Sequence, residues 1–284
     1  MRYENCTEIT DDLIYEAFSG GFSDYMIQMK MDQEMMIKRF FGPEGNKKEY
    51  SFIAFDDEKP VGLILGGIRD LQGIPTMRCG TMCVLPEYRG TGVAKKLMEL
   101  HIQCGKDRGC KQMFLEVIKG NDRAVSFYEF TGYDQVHHLE YYSAEKSALR
   151  DRSLGSLDDQ AYQLREANLE EVEAYRSSLT DIHFPWQWDV AYYKPFACTY
   201  HVIEHQGAIV GAMGSFKGIV FMLHVDKNHR LHGLGASMIG ALVKKEEGDS
   251  IRTAVSGNAL FKGFLTRIGF AKDKLSQWEM YMTL

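Results

Sequence analysis

Two short segments with one spacing limit what this chain can become. At 86–94 it reads PEYRGTGVA and at 227–236 KNHRLHGLGA. Arg89 and Arg230 each stand three residues before a glycine and five before a second very small residue. Each loop occupies the same point of a longer pattern. Before the first, YSFIAF (50–55), the turn DDEKP and VGLILGGI (61–68) read as a hairpin; before the second, YHVIE (200–204), HQG and AIVGAMG do the same. A third strand, near 77–85 and near 219–225, then runs into the loop, and the loop opens a helix. Val93, Leu97, Leu100 and Cys104 share one face of the first helix, and Leu234, Met238, Ala241 and Leu242 one face of the second.

The pattern continues in both halves. A further strand (112–118, 251–256) leads to an asparagine, Asn121 or Asn258, and a short helix closes at TGY (131–133) or RIGF (267–270). Arginine and asparagine lie 32 residues apart in the first half and 28 in the second, and asparagine and closing glycine lie 11 apart in both. Such agreement predicts a duplicated domain: two mixed α/β domains in tandem, 1–145 and 161–284, joined by the Ser-, Asp- and Arg-rich linker 146–160.

Composition excludes several classes. The net charge of −6 argues against a nucleic-acid partner held by phosphate neutralisation. The longest apolar runs fall short of the roughly 20 residues that span a bilayer, so no membrane partner is expected. The opening MRYENCTEITDD lacks the apolar core of a signal peptide. The six cysteines form no CxxC pair and read as reduced thiols. A cytoplasmic protein is the expectation.

A strand that ends at a glycine-rich turn and starts a helix presents unpaired backbone N–H groups, which with the helix dipole favour an anion. Gly90, Gly92 and Ala94 leave room for a diphosphate, and Arg89 offers a charged donor. The plainer reading is a turn that needs glycine only for its backbone geometry. A P-loop is excluded, because no Lys-Ser or Lys-Thr follows. A dinucleotide fold is disfavoured, because the loop follows three strands rather than the first.

VLPEYRGTGVA and LEVIKGNDRAVSFYEFTGY together resemble the GNAT acyltransferase superfamily over roughly residues 50–142, and the first 50 residues resemble it loosely. The matching positions are Arg89, Gly92 and Ala94 in the acyl-CoA loop, then Asn121, Ala124, Tyr128, Gly132 and Tyr133. The resemblance implies tandem domains, each with a mostly antiparallel sheet, a splayed strand pair and flanking helices. It implies acetyl-CoA as acyl donor, with no metal, and an amine acceptor on a small molecule or peptide. Val84 and Leu85 would hold the pantetheine arm, the amides of Gly90, Thr91, Gly92, Val93 and Ala94 the diphosphate, and Asn121 the pantetheine arm as well. Leu85 would supply the N–H for the oxyanion and Tyr128 the proton for the departing thiolate. Glu116, placed in LEV as in the similar ribosomal-protein N-terminal acetyltransferases, would be the base; a structurally paired strand carboxylate is its alternative reading, as a core aromatic is for Tyr128. Phe22 and Tyr25, in a segment that caps the acceptor in the family, are candidate acceptor contacts.

The second half keeps the frame without these groups. Leu231 replaces Gly90, Leu265 stands at the register of Tyr128, and Thr253 at that of Glu116. A catalytically degenerate second domain is expected. The aromatics of DIHFPWQWD (181–189) read either as acceptor wall or as packing. His224, His229 and His232 straddle a strand end and a turn without compact ligand spacing. Beside the N-acetyltransferase reading stand a silent acyl-CoA-binding regulator or scaffold, and a ligase drawing its acyl group from charged tRNA; the acidic charge and complete loop weigh against the latter. The duplication is compatible with replacing a homodimer and with building on one.

Overall fold

The computed structural model describes residues 1–284 apart from 28, 30, 152, 153, 155, 156, 158, 159 and 181. The chain divides into two compact units, Met1–Val136 with Trp278–Leu284, and His137–Gln277. These units do not follow the halves of the sequence. The division at 145 and 161 marks the repeat along the chain, whereas each unit takes its closing strand from the other half.

In the first unit, β1 (Arg2–Asn5), α1 (Asp11–Gly21) and α2 (Gln33–Phe40) precede β2 (Lys47–Asp56), β3 (Lys59–Leu71) and β4 (Ile74–Val84). The α3 helix (Val93–Asp107), β5 (Gln112–Ile118) and α4 (Asp122–Phe130) follow. Strands β1 to β4 form an antiparallel meander. The β5 strand joins β4 in parallel, because α3 carries the chain across the sheet first. Alternation along the strands supplies a core on each face. Val93, Leu97 and Met98 of α3 meet Met77, Met113 and Leu115 on one side. Ile14 and Phe18 of α1 and Phe40 of α2 meet Ile53, Leu63 and Leu65 on the other. Asp32 caps α2 by accepting from the Met35 amide at 2.8 Å.

The β6 strand (Asp134–Glu145) passes into the second unit and pairs antiparallel with β11 (Ser250–Ser256), from Leu139↔Ser256 to Glu145↔Ser250. The α5 helix (Lys146–Asp151) follows. The segment expected to be a linker is therefore partly core: Leu149 is fully buried, and Leu154 and Leu157 pack against the apolar centre of this unit. Its residues 152, 153, 155, 156, 158 and 159 lie outside the described residues.

The repeat then runs through β7 (Tyr162–Ala167), α6 (Leu169–Ser178), α7 (Val190–Tyr193), β8 (Thr199–His205), β9 (Ala208–Phe216) and β10 (Ile219–Val225). It ends with α8 (Leu234–Lys245), α9 (Ala259–Ile268) and β12 (Ala271–Thr283), β11 lying between the two helices. The second unit orders its strands β6-β11-β10-β9-β8-β7, with the opening residues of β12 beside β6. From Trp278 onward β12 belongs to the first unit, where it lies beside β5. No helix among the described residues is long and apolar enough to cross a membrane.

Candidate active site

The cleft begins where two strands part. The β4 and β5 strands pair from Thr76↔Gln112 to Cys79↔Leu115, yet β4 runs on to Val84 and β5 to Ile118. Past Cys79 the edge of β4 is open. The expected use of the Leu85 amide is corrected here: it donates to the Val61 carbonyl at 2.9 Å and is spent on β3. Alternation along an antiparallel ladder turns the neighbouring Val84 amide to the opposite edge, toward the gap β5 leaves. Val84 is the donor the fold offers there.

Beyond Val84 the chain makes a short 3₁₀ turn, Pro86–Tyr88, and enters α3 through two left-handed glycines, Gly90 (φ 81°) and Gly92 (φ 94°). A Cβ at either would meet nothing within 4 Å, so their outer side faces open space. Among the described residues no carbonyl accepts from the amides of Gly90 to Ala94. The Thr91 hydroxyl donates to the Tyr88 carbonyl at 2.7 Å. Val93 is itself buried in the core. Five unclaimed donors at the positive end of a 15-residue helix fit a diphosphate.

Arg89 is mostly committed within the chain. Its Nε donates to the Val84 carbonyl at 3.0 Å, its two terminal nitrogens each reach Asp24 at 2.6 Å, and one also reaches the Gly21 carbonyl at 3.1 Å. Four of the five guanidinium N–H groups are committed, which fastens the loop to the end of α1 and leaves one Nη1 hydrogen for a ligand. The repeat keeps the inner half of this clamp: Arg230 Nε donates to the Val225 carbonyl at 2.9 Å. The shared arginine spacing thus encodes a strand-to-loop brace. Asp24 gave no signal in the sequence, since its partner lies 65 residues away.

Asn121 caps α4, its Oδ1 accepting from the Ala124 amide at 3.3 Å, and Asn258 caps α9 in the same way at 2.9 Å. The remaining amide end of Asn121 lies beside the Tyr25 hydroxyl; burial raises that phenol and the Asn121 side chain partly offsets the rise. Phe22 meets Tyr25 edge-on at 5.0 Å and Phe18 at 5.0 Å. Tyr128 stands on α4 against Tyr133 and Phe127, at 6.0 and 5.6 Å between centroids. Its phenol is pushed well above the ordinary value by burial, then by Cys79, Tyr25 and Cys83. Tyr25, Asn121 and Tyr128 therefore gather at the open edge of β4.

Glu116 lies on the other face of the sheet, because its neighbours Leu115 and Val117 point into the α3 side. Its Oε2 receives Arg78 at 2.8 Å, while Oε1 is buried with no hydrogen-bond partner. Arg78 in turn donates to Glu44 at 2.9 Å, and all three side chains are 3–4% exposed. Burial raises the Glu116 carboxyl above the usual range, Arg78 opposes the rise and Glu279 adds to it. Glu44 moves the other way: burial acts to raise it, and Arg78 and Arg39 outweigh that effect. Sequence reasoning missed Arg78, Glu44 and Glu279. An arginine inside TMRCG, between apolar strand positions, was the one available sign that a buried acid would be needed.

In the second unit Leu265 is fully buried and the Thr253 hydroxyl donates to the Val220 carbonyl at 2.8 Å. Gly233 keeps the left-handed turn (φ 75°), and Leu231 adopts φ 70° with its side chain wholly exposed. Trp186 and Phe184 are buried in the unit's own core, and Arg176 lies 3.9 Å over the Phe184 ring. Packing accounts for that segment; Asp181 lies outside the described residues. His224 bonds Tyr175 at 2.8 Å, and Tyr175 donates to Asp226 at 2.7 Å. Among the described residues no histidine, cysteine or acidic cluster could hold a metal.

Known proteins match this geometry. The family model for the acetyltransferase (GNAT) family matches residues 11–133. The N-alpha-acetyltransferase 30 of Schizosaccharomyces pombe is 32% identical over 105 residues, 36% of this chain and 69% of that protein. An N-alpha-acetyltransferase of Saccharolobus solfataricus is 30% identical over 135 residues, 40% of this chain and 81% of that protein. A tandem GNAT protein from the clavulanic acid biosynthesis pathway superposes with a TM-score of 0.68 at 14% identity, covering 99% of this chain and 98% of that one. A GCN5-related N-acetyltransferase from Sphaerobacter thermophilus does so with 0.63 at 12% identity, covering 95% and 91%. The two structures share the fold over nearly the whole chain, and the family model spans the loop-bearing part. The chain therefore belongs to the GNAT family of acetyltransferases, and acetyl-CoA-dependent N-acetylation is its reaction.

Proposed function

We propose that the first unit acetylates the free α-amine of a peptide or protein, with Glu116 as base and Tyr128 as acid. The observation that carries this reading is the pairing of a half-satisfied buried carboxylate, Glu116, with a strongly protonated phenol, Tyr128, on either face of the opened β4–β5 edge. Acetyl-CoA supplies the activated acetyl group. Its diphosphate would rest on the amides of Gly90 to Ala94 and its pantetheine arm along Val84 and Asn121.

A carboxylate base suits an α-amine in particular. Such an amine titrates near 7.7–8.0, so freeing it at pH 7 costs about 1 kcal/mol, against roughly 4.6 for a lysine side chain near 10.4. Glu116 takes the ammonium proton, through water where the reach requires it. The nitrogen lone pair forms the new C–N bond as the C–S bond breaks. The Val84 amide faces the oxygen that carries the charge in between; Tyr128 gives its proton to the departing sulfur, and the second proton that the nitrogen loses as the amide forms passes through water to restore the Tyr128 phenol. Phe22 and Tyr25 wall the acceptor side. The second unit, with Leu265 and Thr253 at the corresponding registers, serves as structural support without turnover. Cytoplasmic residence belongs to the same reading and rests on six cysteines that are free thiols.

Incubation with acetyl-CoA and two synthetic peptides tests the acceptor. One peptide has a free α-amine and no lysine; the other is blocked at the α-amine and carries lysine. Mass spectrometry is expected to show acetyl on the first alone. Acetyl on the lysine peptide, or on neither, overturns the reading.

A further inference from the structure

The exchanged strand brings a second acid to Glu116. The Leu284 amide donates to the Lys111 carbonyl at 3.0 Å, and the Tyr281 ring lies 5.0 Å from that of Phe114. Carried along the same antiparallel register, these two contacts place Glu279 directly opposite Glu116, on the same face of neighbouring strands. Glu279 is fully buried and the Glu116 side chain is 4% exposed. Directly opposed residues hold their Cβ atoms about 4.5–5.5 Å apart, and two like charges so placed in a dry interior do not both ionise freely.

We propose that Glu279 is a positioning residue for the reaction: its carboxyl, opposite Glu116 on the same face, disfavours the ionised form of Glu116, so that Glu116 is a stronger base than a lone glutamate. The proposal rests on the reading of Glu116 as base. The surroundings are consistent with it. Arg78 on β4 reaches Glu116 at 2.8 Å but divides its charge with Glu44, which Arg39 of α2 also contacts at 3.2 Å. On β12, Tyr281 stands on the same face with its phenol raised by burial, then by Glu279 and Glu116, and opposed by Arg69 of β3. Three acids, Glu44, Glu116 and Glu279, thus crowd this face. In the second unit the register of Glu116 is taken by Thr253, which faces Tyr142 on the neighbouring strand.

Carbon-13 carboxyl NMR of the full chain, with glutamates labelled and assigned, tests this directly. In the unaltered protein the Glu116 resonance is expected to titrate above the ordinary glutamate range; a midpoint within that range overturns the proposal. In Glu279→Gln the Glu116 midpoint is expected to fall by about one pH unit, because a repelling charge is gone. Glu279→Asp, which keeps the charge, is expected to hold the midpoint near its original value. An unmoved midpoint in Glu279→Gln overturns the proposal. Turnover of the free-α-amine peptide separates the two readings. If Glu116→Gln turns over normally while Glu279→Gln still lowers the Glu116 midpoint, the base assignment fails and the pairing stands. If Glu116→Gln is inactive and the Glu116 midpoint is unmoved in Glu279→Gln, the reverse holds.

Discussion

A phenol held far above its ordinary titration range is an acid that stays loaded. Tyr128 owes this to burial first and to Cys79, Tyr25 and Cys83 next. Tyr128→Phe is expected to lower kcat by about a hundredfold or more while leaving the KM for acetyl-CoA within about twofold, since phenylalanine keeps the packing on Tyr133. Steady-state kinetics decides it, and unchanged kcat removes Tyr128 from the mechanism. Glu116 sets the opposite limb of the pH profile. Its base form is the ionised one and burial raises its carboxyl, so kcat/KM is expected to fall on acidification with a midpoint above that of an ordinary glutamate, near 4.3. Glu44 is held below the usual range, so its pairing stabilises the fold above the unfolded pKa and is lost as pH falls through the folded one. Glu44→Gln leaves buried Arg78 short of one partner, and a loss of about 3 kcal/mol in denaturant unfolding is expected. At this scale the sequence offered Tyr128 and Glu116 as candidates through the family resemblance of LEVIKGNDRAVSFYEFTGY. It hid Arg78, Glu44 and Glu279, because an ion pair between residues 34 or 38 apart leaves no periodic trace.

The loop before α3 shows what a motif encodes and what it leaves out. Its glycines were legible from spacing, and the structure gives the reason in positive φ at Gly90 and Gly92. Gly92→Val is expected to weaken acetyl-CoA binding at least tenfold in calorimetry with little change in core stability, because a Cβ there meets no packed atom while a β-branched residue strains the left-handed turn. The arginine was legible too, and its role was not. Arg89 braces Val84, Gly21 and Asp24. Arg89→Ala, Asp24→Ala and the double variant are therefore expected to weaken acetyl-CoA binding by similar amounts. Additive losses would show that Arg89 touches the ligand independently of Asp24. Leu85 teaches a related lesson at the strand end: motif position named a segment, and one step of ladder alternation decided which of its amides is spent.

The twofold plan was plain in the sequence from intervals that match between the halves, and so were the mixed α/β elements. Which strand closes which sheet was not, because β6 and β12 carry the same alternating pattern and periodicity names no partner. The exchange makes a definite demand on fragments. A chain cut to residues 1–145 retains the loop, Glu116 and Tyr128 but lacks Trp278–Leu284, so the edge of β5 is bare. It is expected to aggregate and to give no cooperative thermal transition by circular dichroism. A soluble, cooperatively melting 1–145 fragment that binds acetyl-CoA would show that β12 is dispensable.

Synthesis on the ribosome gives the exchange a temporal meaning. The loop, Glu116 and Tyr128 are translated early, yet the strand that seals their sheet is made only after roughly half the chain more has emerged. The nascent sheet must wait, bare at one edge, until Trp278–Leu284 is made. Arrival of that strand, rather than of the loop, completes the first unit.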